Sequence, residues 1–463
     1  MKPNIEHVKR LVYETDDLFV KMIDWPFEEG IICYLTSLVD GGELNKQLVL
    51  LKKQAEAKTQ NWAISAVSTS YPYTDGKLQN LLSLGETAII FPEANIIVAI
   101  NLKKEQARTT DEPENEHVIN GSHEGFIENK DTNIALIRKR LLRADFVVKH
   151  MYIGNKNSDT VTYTYIASVV DPQLVEMVEK KLNAVSSDEF FTPGQLIEYL
   201  EEHTWSPFPQ FLVTERPDRV ASNLLEGRIV ILMDNSPAAV VAPVTLFSFF
   251  QTPDDFNSRV LVGSFYRLLR IFSLITAIFL PAFYVSVVSF HSEILPIEIS
   301  KQVKLAINEI PYRPFLEAII LEVFIELIRE ASMRLPTPIG QTIAIVGGLV
   351  VGDAIVNAGL VSNLMVIVVA MTAISSFVIP SAEMNMTIRI LRFPFMLGAA
   401  LFGFFGMVIG LLLLFIHLLN LRSLGRPYFS PIIPFDLTRF KDIFVRLPFL
   451  RFLHRNKKKG VRE

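Results

Sequence analysis

The pattern of hydrophobic and polar positions divides the chain near residue 265. Up to Arg267, short apolar runs alternate with polar stretches, which is typical of a water-soluble region that mixes helices and strands. From Leu268 to Asn420 most of the sequence lies in long apolar stretches of the kind that face lipid. The sequence therefore predicts an α/β soluble N-terminal region of two subdomains, followed by a C-terminal α-helical membrane bundle.

The first subdomain is predicted to span residues 1–110, and a polar linker of residues 111–133 separates it from the second, at 134–265. Apolar residues at helical spacing predict a helix over 4–23. The other apolar runs predict strands and helices. Predicted strands lie at 30–38, 88–91, 95–102, 146–153 and 161–170, and predicted helices at 134–142, 172–182 and 193–201.

The segment 214–244 predicts a helix followed by two strands. Thr214 is expected to cap the helix, and Pro217 suits its first turn. Gly227 suits the left-handed backbone conformation that ends the helix. The strands are predicted at 228–233 and 238–243, joined by a turn.

Four apolar segments have the length that a membrane-spanning helix needs: about 271–290, 339–357, 361–380 and 395–419. Arg267 and Arg270 precede the first segment, and a basic tail follows the last, at 421–463. Positive charges beside a span mark the cytoplasmic side, so we expect both ends of the chain in the cytoplasm. Four crossings then leave Arg389 and Arg392 on the outer side.

Residues 315–334 predict an amphipathic helix, because charged residues interrupt an otherwise apolar stretch. Four of the charges share one stripe on a helical wheel: Glu322, Glu326, Arg329 and Glu330. Such charges exclude a lipid-facing span. Two interpretations stay open: an interfacial helix that lies on the bilayer, or a helix whose stripe faces a water-filled vestibule.

Asp353 and Asn357 lie four residues apart, on one face of an otherwise apolar segment. An ionisable residue inside the membrane indicates a functional site, so both are candidate pore-lining residues. The alternative is that Asp353 lies near the membrane interface. Small residues at four-residue spacing predict close contacts between helices. These candidates are Ala344, Gly348, Gly352, Ala399, Gly403, Gly406 and Gly410.

Composition narrows the possible functions of the 463-residue chain. Its single cysteine, Cys33, excludes an intramolecular disulfide and a cysteine metal cluster. No signal-peptide pattern opens the sequence, which predicts a cytoplasmic N-terminal region. The basic tail favours contact with membrane lipid over nucleic acid. Phosphate-binding loops, dinucleotide fingerprints and histidine pairs for zinc are missing from the sequence, so we expect no enzyme, no metal and no cofactor.

Several segments between about 120 and 432 resemble the GerA family of spore germination proteins. They are HEGF at 123–126, FLVTERPDRV at 211–220, LEGRIVILMD at 225–234, FFQTPDD at 249–255, RLPTPIGQTI at 334–343, IVGGLV at 345–350 and LRFP at 391–394. Such long, ordered agreement is far more specific than any short motif.

The resemblance implies the A subunit of a nutrient germinant receptor in the spore inner membrane. It also implies two partners, a transporter-like B subunit that binds the nutrient and a lipoprotein C subunit. Proteins of this family are thought to form oligomeric cation channels whose opening starts germination. A non-conducting scaffold or signal relay is the alternative, and a secondary transporter is a weaker one, because no inverted repeat is evident.

Overall fold

The computed structural model describes residues 3–56, 68–102, 112–113, 115–118, 121–153, 159–185, 192–308, 310–336, 339–340, 342, 345, 347–348 and 352–445. The chain forms two compact units. The α/β unit comprises residues 1–204, 210–244 and 423–426, and the helical unit comprises 205–209, 245–422 and 427–463. The main division thus falls after Val244 instead of near 265.

The first subdomain of the α/β unit is an antiparallel sheet with the strand order β1-β2-β4-β5-β3. Its strands are β1 (Leu18–Asp24), β2 (Glu29–Leu35), β3 (Ser68–Pro72), β4 (Thr87–Phe91) and β5 (Ile96–Ile100). Its helices are α1 (Ile5–Leu11), α2 (Gly41–Glu56) and α3 (Asp75–Ser83). Helices cover both faces of the sheet, α2 on one and α1 with α3 on the other, which explains why β2, β4 and β5 are mostly apolar and buried on both faces.

The predicted helix over 4–23 is wrong beyond Leu11. Asn4 caps α1 by accepting a hydrogen bond from the His7 amide at 2.8 Å. Tyr13 and Glu14 then adopt left-handed backbone angles, which end the helix, and β1 follows. Five of the seven residues of the edge strand β1 are apolar, but they do not alternate with polar residues, so the pattern does not indicate a half-buried strand.

The second subdomain is also an antiparallel sheet, with the strand order β6-β7-β9-β10-β8. Its strands are β6 (Phe146–Ile153), β7 (Asp159–Ile166), β8 (Leu212–Thr214), β9 (Ile229–Met233) and β10 (Ala239–Ala242). Its helices are α4 (Lys130–Leu141), α5 (Pro172–Asn183), α6 (Pro193–Leu200) and α7 (Pro217–Leu225). The core packs α5 and α6 against β7, β9 and β10.

Two predictions about α7 have different outcomes. Gly227 does adopt a left-handed conformation, with φ of 84°, and a Cβ there would lie 2.9 Å from the Val169 carbonyl oxygen. Thr214 is not the cap, because it is the last residue of β8 and Arg216 takes the N-cap position. The Thr214 hydroxyl instead accepts a hydrogen bond from the Arg216 amide at 3.2 Å.

The segment predicted as a polar linker is bound to the second subdomain where the structure describes it. Phe126 is buried, and its amide donates to the Glu215 carbonyl at 2.8 Å. Glu116 forms an ion pair with Arg219. These contacts hold an irregular segment in place by hydrogen bonds and charge, which apolar periodicity does not reveal.

A buried ion pair joins the two subdomains. The Asp17 carboxylate accepts hydrogen bonds from Arg138, at 2.6 and 2.8 Å, and from the hydroxyls of Thr15 and Ser37. Burial alone would raise the pKa of Asp17, but the Arg138 charge and these hydrogen bonds together hold it below its usual value. The ionised pair therefore stabilises the α/β unit.

The helical unit contains nine described α-helices. They are α8 (Pro253–Asn257), α9 (Val260–Phe290), α10 (Ile297–Asn308), α11 (Pro314–Arg334), α12 (Gly352–Asn357), α13 (Asn363–Phe377), α14 (Ala382–Phe402), α15 (Phe404–Asn420) and α16 (Leu437–Phe444). Two 3-10 helices, Leu246–Phe250 and Ser292–Ile294, also belong to it. The short strands Arg422–Ser423 and Arg426–Pro427 form a hairpin, and residues 423–426 of this hairpin belong to the α/β unit. Among the described residues, one helix, α9, is long and apolar enough to cross a membrane.

The structure divides the segment 395–419, predicted as one span, at Gly403. This residue has φ of 61° and separates α14 from α15. The two helices fold back on each other, because Gly406 lies against the Gly398 backbone and Gly410 against the Phe395 ring. Of the segment predicted at 339–357, only part is described, and it ends in α12.

Candidate functional site

The charged stripe of α11 lies against α14 inside the helical unit. Glu322 accepts a hydrogen bond from Arg392, and neither side chain has any exposed surface. Glu326, one turn further along, pairs with Arg389 at 2.7 Å and with Arg329 at 3.5 Å. We call these five residues the charge network.

The sequence places the charge network on facing helix surfaces. Glu322, Glu326 and Arg329 follow i, i+4, i+7 spacing on α11, and Arg389 and Arg392 are three residues apart on α14. Partner numbers rise on one helix as they fall on the other, so α11 and α14 run antiparallel.

The structure gives partners to the α11 stripe, because Glu322 pairs with Arg392 and Glu326 with Arg389 of α14. The two interpretations of the stripe, as an interfacial or a vestibule-facing surface, stay predictions. The expected position of Arg389 and Arg392 on the outer side also stays a prediction. Glu330 stands apart from the network, because it is exposed and pairs with Arg334 at 2.6 Å.

Burial makes the charge network sensitive to helix position. Oε1 of Glu322, Nε and Nη2 of Arg392 and Nε of Arg389 are buried without a hydrogen-bond partner among the described residues. Two carboxylates face three guanidinium groups, and the Arg329 guanidinium also lies 4.7 Å from the Phe377 ring centre on α13. Because an unpaired buried charge is costly, any slip between α11 and α14 is opposed, and the network fixes their register.

A second buried carboxylate of α11 binds the start of α13. Oε2 of Glu317 accepts a hydrogen bond from the Ser362 amide at 3.0 Å, and the Ser362 hydroxyl caps α13. Tyr284 on α9 lies 3.5 Å from the same hydroxyl. The sequence shows Glu317 as one more charge in α11, and only its different position on the helical wheel separates it from the stripe.

A second ion-pair group anchors the beginning of α9. Asp255 is buried and pairs with Arg267 at 3.3 Å and with Arg270 at 2.8 Å. Arg270 also donates to the Phe250 carbonyl and the Thr252 hydroxyl. Sequence reasoning read the two arginines as a sign of membrane side and missed Asp255, which the TPDD motif just before the helix could have suggested.

The candidate pore-lining residues lie on the short helix α12. The side chains of Asp353 and Asn357 are both exposed, whereas Ile355 between them is buried. The two polar side chains therefore share one outward-facing surface of the single copy.

The small residues fall into two groups. Gly406 and Gly410 lie in close contacts of α14 with α15, and a Cβ at Gly406 would overlap the Gly398 carbonyl oxygen. Gly403 lies against His291 and Phe290 at the end of α9, and Ala399 is buried. At Gly348 and Gly352, by contrast, no described atom lies within 4 Å of the Cβ position. Ala344 lies outside the described residues.

Comparison with known proteins identifies the family. Residues 6–458 match the family described as Bacillus/Clostridium GerA spore germination protein. The chain belongs to the GerA family. This confirms the resemblance predicted from the sequence and extends it to almost the whole chain.

Relatives of this GerA family chain align over most of their length. It is 36% identical to spore germination protein B1 of Bacillus subtilis, over 98% of this chain and 96% of that protein. It is 35% identical to spore germination protein A1 of the same species, over 92% of this chain and 88% of that protein. It is also 35% identical to the uncharacterized membrane protein YfkQ of that species, over 97% of this chain and 89% of that protein.

A solved structure is similar to part of the chain. It is the N-terminal domain of the A subunit of the Bacillus megaterium spore germinant receptor GerK3, with a TM-score of 0.40 and 24% identity. The similarity covers 52% of this chain and 93% of that domain.

Proposed function

We propose that this GerA family chain is the A subunit of a spore germinant receptor in the spore inner membrane. It acts there with a transporter-like B subunit that binds the nutrient and a lipoprotein C subunit. The observation that carries the proposal is the match to the family over residues 6–458, together with germination relatives that align nearly end to end.

We further propose that the helical unit crosses the membrane several times. With 31 residues, α9 is about 46 Å long, more than the roughly 30 Å of hydrocarbon in a bilayer. The charges of α11 are paired with those of α14 instead of facing lipid. Large apolar side chains cover the outside of α15, among them Phe405, Leu412, Leu413 and Ile416.

Helix directions support a cytoplasmic position for both ends of the chain. Phe279 lies beside Phe395, and His291 lies beside Gly403, so α9 and α14 run in the same direction. The α15 helix returns in the opposite direction and brings the chain back to the side where α9 begins. Arg267 and Arg270 mark that side as cytoplasmic.

Several copies then form a cation channel that the nutrient opens. Asp353 and Asn357 are exposed on a single copy of an apolar unit, so their natural surroundings are water or another copy of the chain. A ring of such faces presents carboxylates that attract cations. Gly348 and Gly352, which have no described atom within 4 Å of their Cβ positions, provide surfaces for close contact between copies.

The receptor role is tested in spores. Spores without the chain should lose germination toward the nutrients of its receptor and regain it when the gene is restored. An affinity-tagged chain should co-purify the B and C subunits from spore membranes. Unchanged germination across a broad nutrient panel, or isolation without either partner, would contradict the receptor role.

A further inference from the structure

The hairpin that follows α15 completes the α/β unit. Its strands, Arg422–Ser423 and Arg426–Pro427, come directly after the end of α15 at Asn420. Residues 423–426, which we call the hairpin tip, belong to the α/β unit, although the residues on either side of them belong to the helical unit. The chain therefore leaves the helical unit, enters the α/β unit with the tip and returns.

Hydrogen bonds hold the hairpin tip in the α/β unit. The Ser423 hydroxyl donates to the Gln210 carbonyl at 2.6 Å and accepts from the Val244 amide at 3.0 Å. The Gly425 amide donates to the Glu202 carboxylate at 2.6 Å. Because the Ser423 side chain is completely buried, its two bonds are shielded from water. The tip is thus bound to the backbone just before β8 and just after β10.

Leu424 is an unusual residue for the turn of this hairpin. Leu424 and Gly425 both have positive φ angles, 43° and 72°. Two-residue turns of this kind favour Asn followed by Gly, and a bulky side chain in the left-handed region is strained. The Leu424 side chain is only 3% exposed and belongs to the core formed by α5, α6 and the second sheet. Burial of the side chain therefore overrides the local preference of the turn.

The connection between α15 and the hairpin tip is short. Two residues, Leu421 and Arg422, lie between the end of α15 and the tip. Two extended residues span at most about 7 Å, so the connection has little slack. Leu421 is itself buried, and its carbonyl accepts a hydrogen bond from the Tyr428 amide at 3.1 Å. A larger movement of the end of α15 must carry the tip with it or pull Leu424 out of the core.

We propose that the hairpin transmits movement between α15 and the α/β unit, with Leu424 as the positioning residue that keeps the tip docked. The proposal rests on the proposed receptor function, in which a signal passes between the α/β unit and the helices when the channel opens. Loss of docking should leave both units folded but should separate their movements.

Leu424→Asn separates docking from turn formation. Asparagine suits the left-handed turn, but its polar amide does not fit an apolar core. The hairpin should still form, whereas its docking should be lost. Leu424→Met is the matched control, because it keeps an apolar side chain of similar size and should behave as the wild type.

Docking is measured by hydrogen exchange of the purified full-length protein. In Leu424→Asn, peptides that contain the amides of Val244 and Gly425 should exchange at least about tenfold faster, because the tip opens without unfolding of the whole unit. The amide of Ile89, in β4 of the first subdomain, should keep the rate of the wild type. Ser423→Ala removes both hydroxyl bonds without adding bulk. It should have a weaker effect in the same direction, and it tests docking if Leu424→Asn does not fold.

Transmission is measured by nutrient-dependent ion flux in liposomes that also contain the B and C subunits. Leu424→Asn should assemble with them and lose most of the flux, whereas Leu424→Met should keep it. Unchanged exchange at Val244 and Gly425 in Leu424→Asn would overturn the docking role. Faster exchange with unchanged flux would overturn the transmission. A wild-type chain without any flux would contradict the proposed channel instead, and the exchange rates would still decide whether Leu424 docks the tip.

Discussion

Arg392 donates a hydrogen bond from Nη1 to Oε2 of Glu322, and both side chains are completely buried between α11 and α14. The residues are 70 positions apart in the sequence, so their pairing fixes the contact of two helices that the chain does not hold together locally. The first predictions about the stability of the helical unit concern this pair.

Neutralising one partner should destabilise the helical unit strongly. Glu322→Gln or Arg392→Gln leaves a buried charge without its partner, which costs about 3 to 5 kcal/mol. The double variant should be more stable than either single variant, because neither charge is left unpaired. Thermal unfolding of the purified protein and its amount in the membrane measure both effects.

Glu330→Gln is the matched control for the buried pair. Its partner Arg334 is on the same helix and both are exposed, so the change should cost less than about 1 kcal/mol. If Glu322→Gln were as mild as Glu330→Gln, the charge network would have no structural role.

The hairpin of α14 and α15 should not tolerate a side chain at Gly406. A Cβ there would overlap the Gly398 carbonyl oxygen, and backbone atoms cannot move aside without separating the helices. Gly406→Ala should lower the free energy of unfolding by at least about 1 to 3 kcal/mol. Stability is measured by thermal unfolding. A Gly406→Ala protein that unfolds at the same temperature as the wild type and keeps full activity would contradict this packing.

Gly348→Leu should have a different effect. No described atom lies within 4 Å of its Cβ position, so a single copy should still fold. If the open surface contacts another copy, the added bulk should lower the proportion of oligomer, as measured by native mass spectrometry. An unchanged oligomer distribution would exclude Gly348 from that contact.

The Asp17 and Arg138 pair predicts acid sensitivity in the α/β unit. Because the pKa of Asp17 is lower in the folded than in the unfolded state, its contribution is complete above the unfolded value of about 3.9. This contribution is lost as the pH falls through the lower, folded-state pKa. The Asp17→Asn variant should therefore be less stable than the wild type near neutral pH. It should also lose less stability than the wild type when the pH is lowered.

The rate at which Cys33 reacts with a dipyridyl disulfide reports unfolding near this pair, since the thiol is buried in β2 of the first sheet. Asp24→Asn, at an exposed position of β1, is the control and should follow the wild type. Identical acid profiles for Asp17→Asn and the wild type would contradict the role of the ion pair.

Much of the α/β unit could be predicted from the sequence, because its strands are apolar runs bounded by turn residues. The strand predicted at 146–153 has the same limits as β6, and Gly227 has the expected left-handed conformation. The edge strand β1 could not be predicted, because its exposed side chains give no apolar alternation. Residues 423–426 also join the α/β unit, and Leu424 contributes to its core, a long-range contact that no local pattern indicates.

The sequence predicted one side of the charge network but not the residues that pair with it. Helical spacing gave the stripe of Glu322, Glu326 and Arg329, but the arginines that face it belong to a helix more than 60 residues away. Periodicity describes one helix and does not say which other helix it meets. Gly403 lies against His291 and Phe290 at the end of α9, and its positive φ also makes it the turn of a hairpin, which the spacing of small residues does not indicate.

Membrane topology can be tested with single cysteines. Lys9→Cys and Val445→Cys should be protected from an impermeant thiol reagent in intact cells, because both ends are proposed to be cytoplasmic. Ile294→Cys, 59% exposed just after α9, should react. The buried Cys33 gives a low background. Labelling at position 9 or 445 in sealed cells would require another topology.

The channel itself is tested most directly by ion flux through the chain reconstituted in liposomes with its B and C subunits. The nutrient should open a cation-selective flux, and Asp353→Asn should lower that flux or its selectivity without altering assembly. Glu298→Gln, an exposed carboxylate on α10, should leave the flux unchanged. A nutrient-dependent flux that is identical in the wild type and Asp353→Asn, or no cation flux at all, would contradict the pore and favour a scaffold.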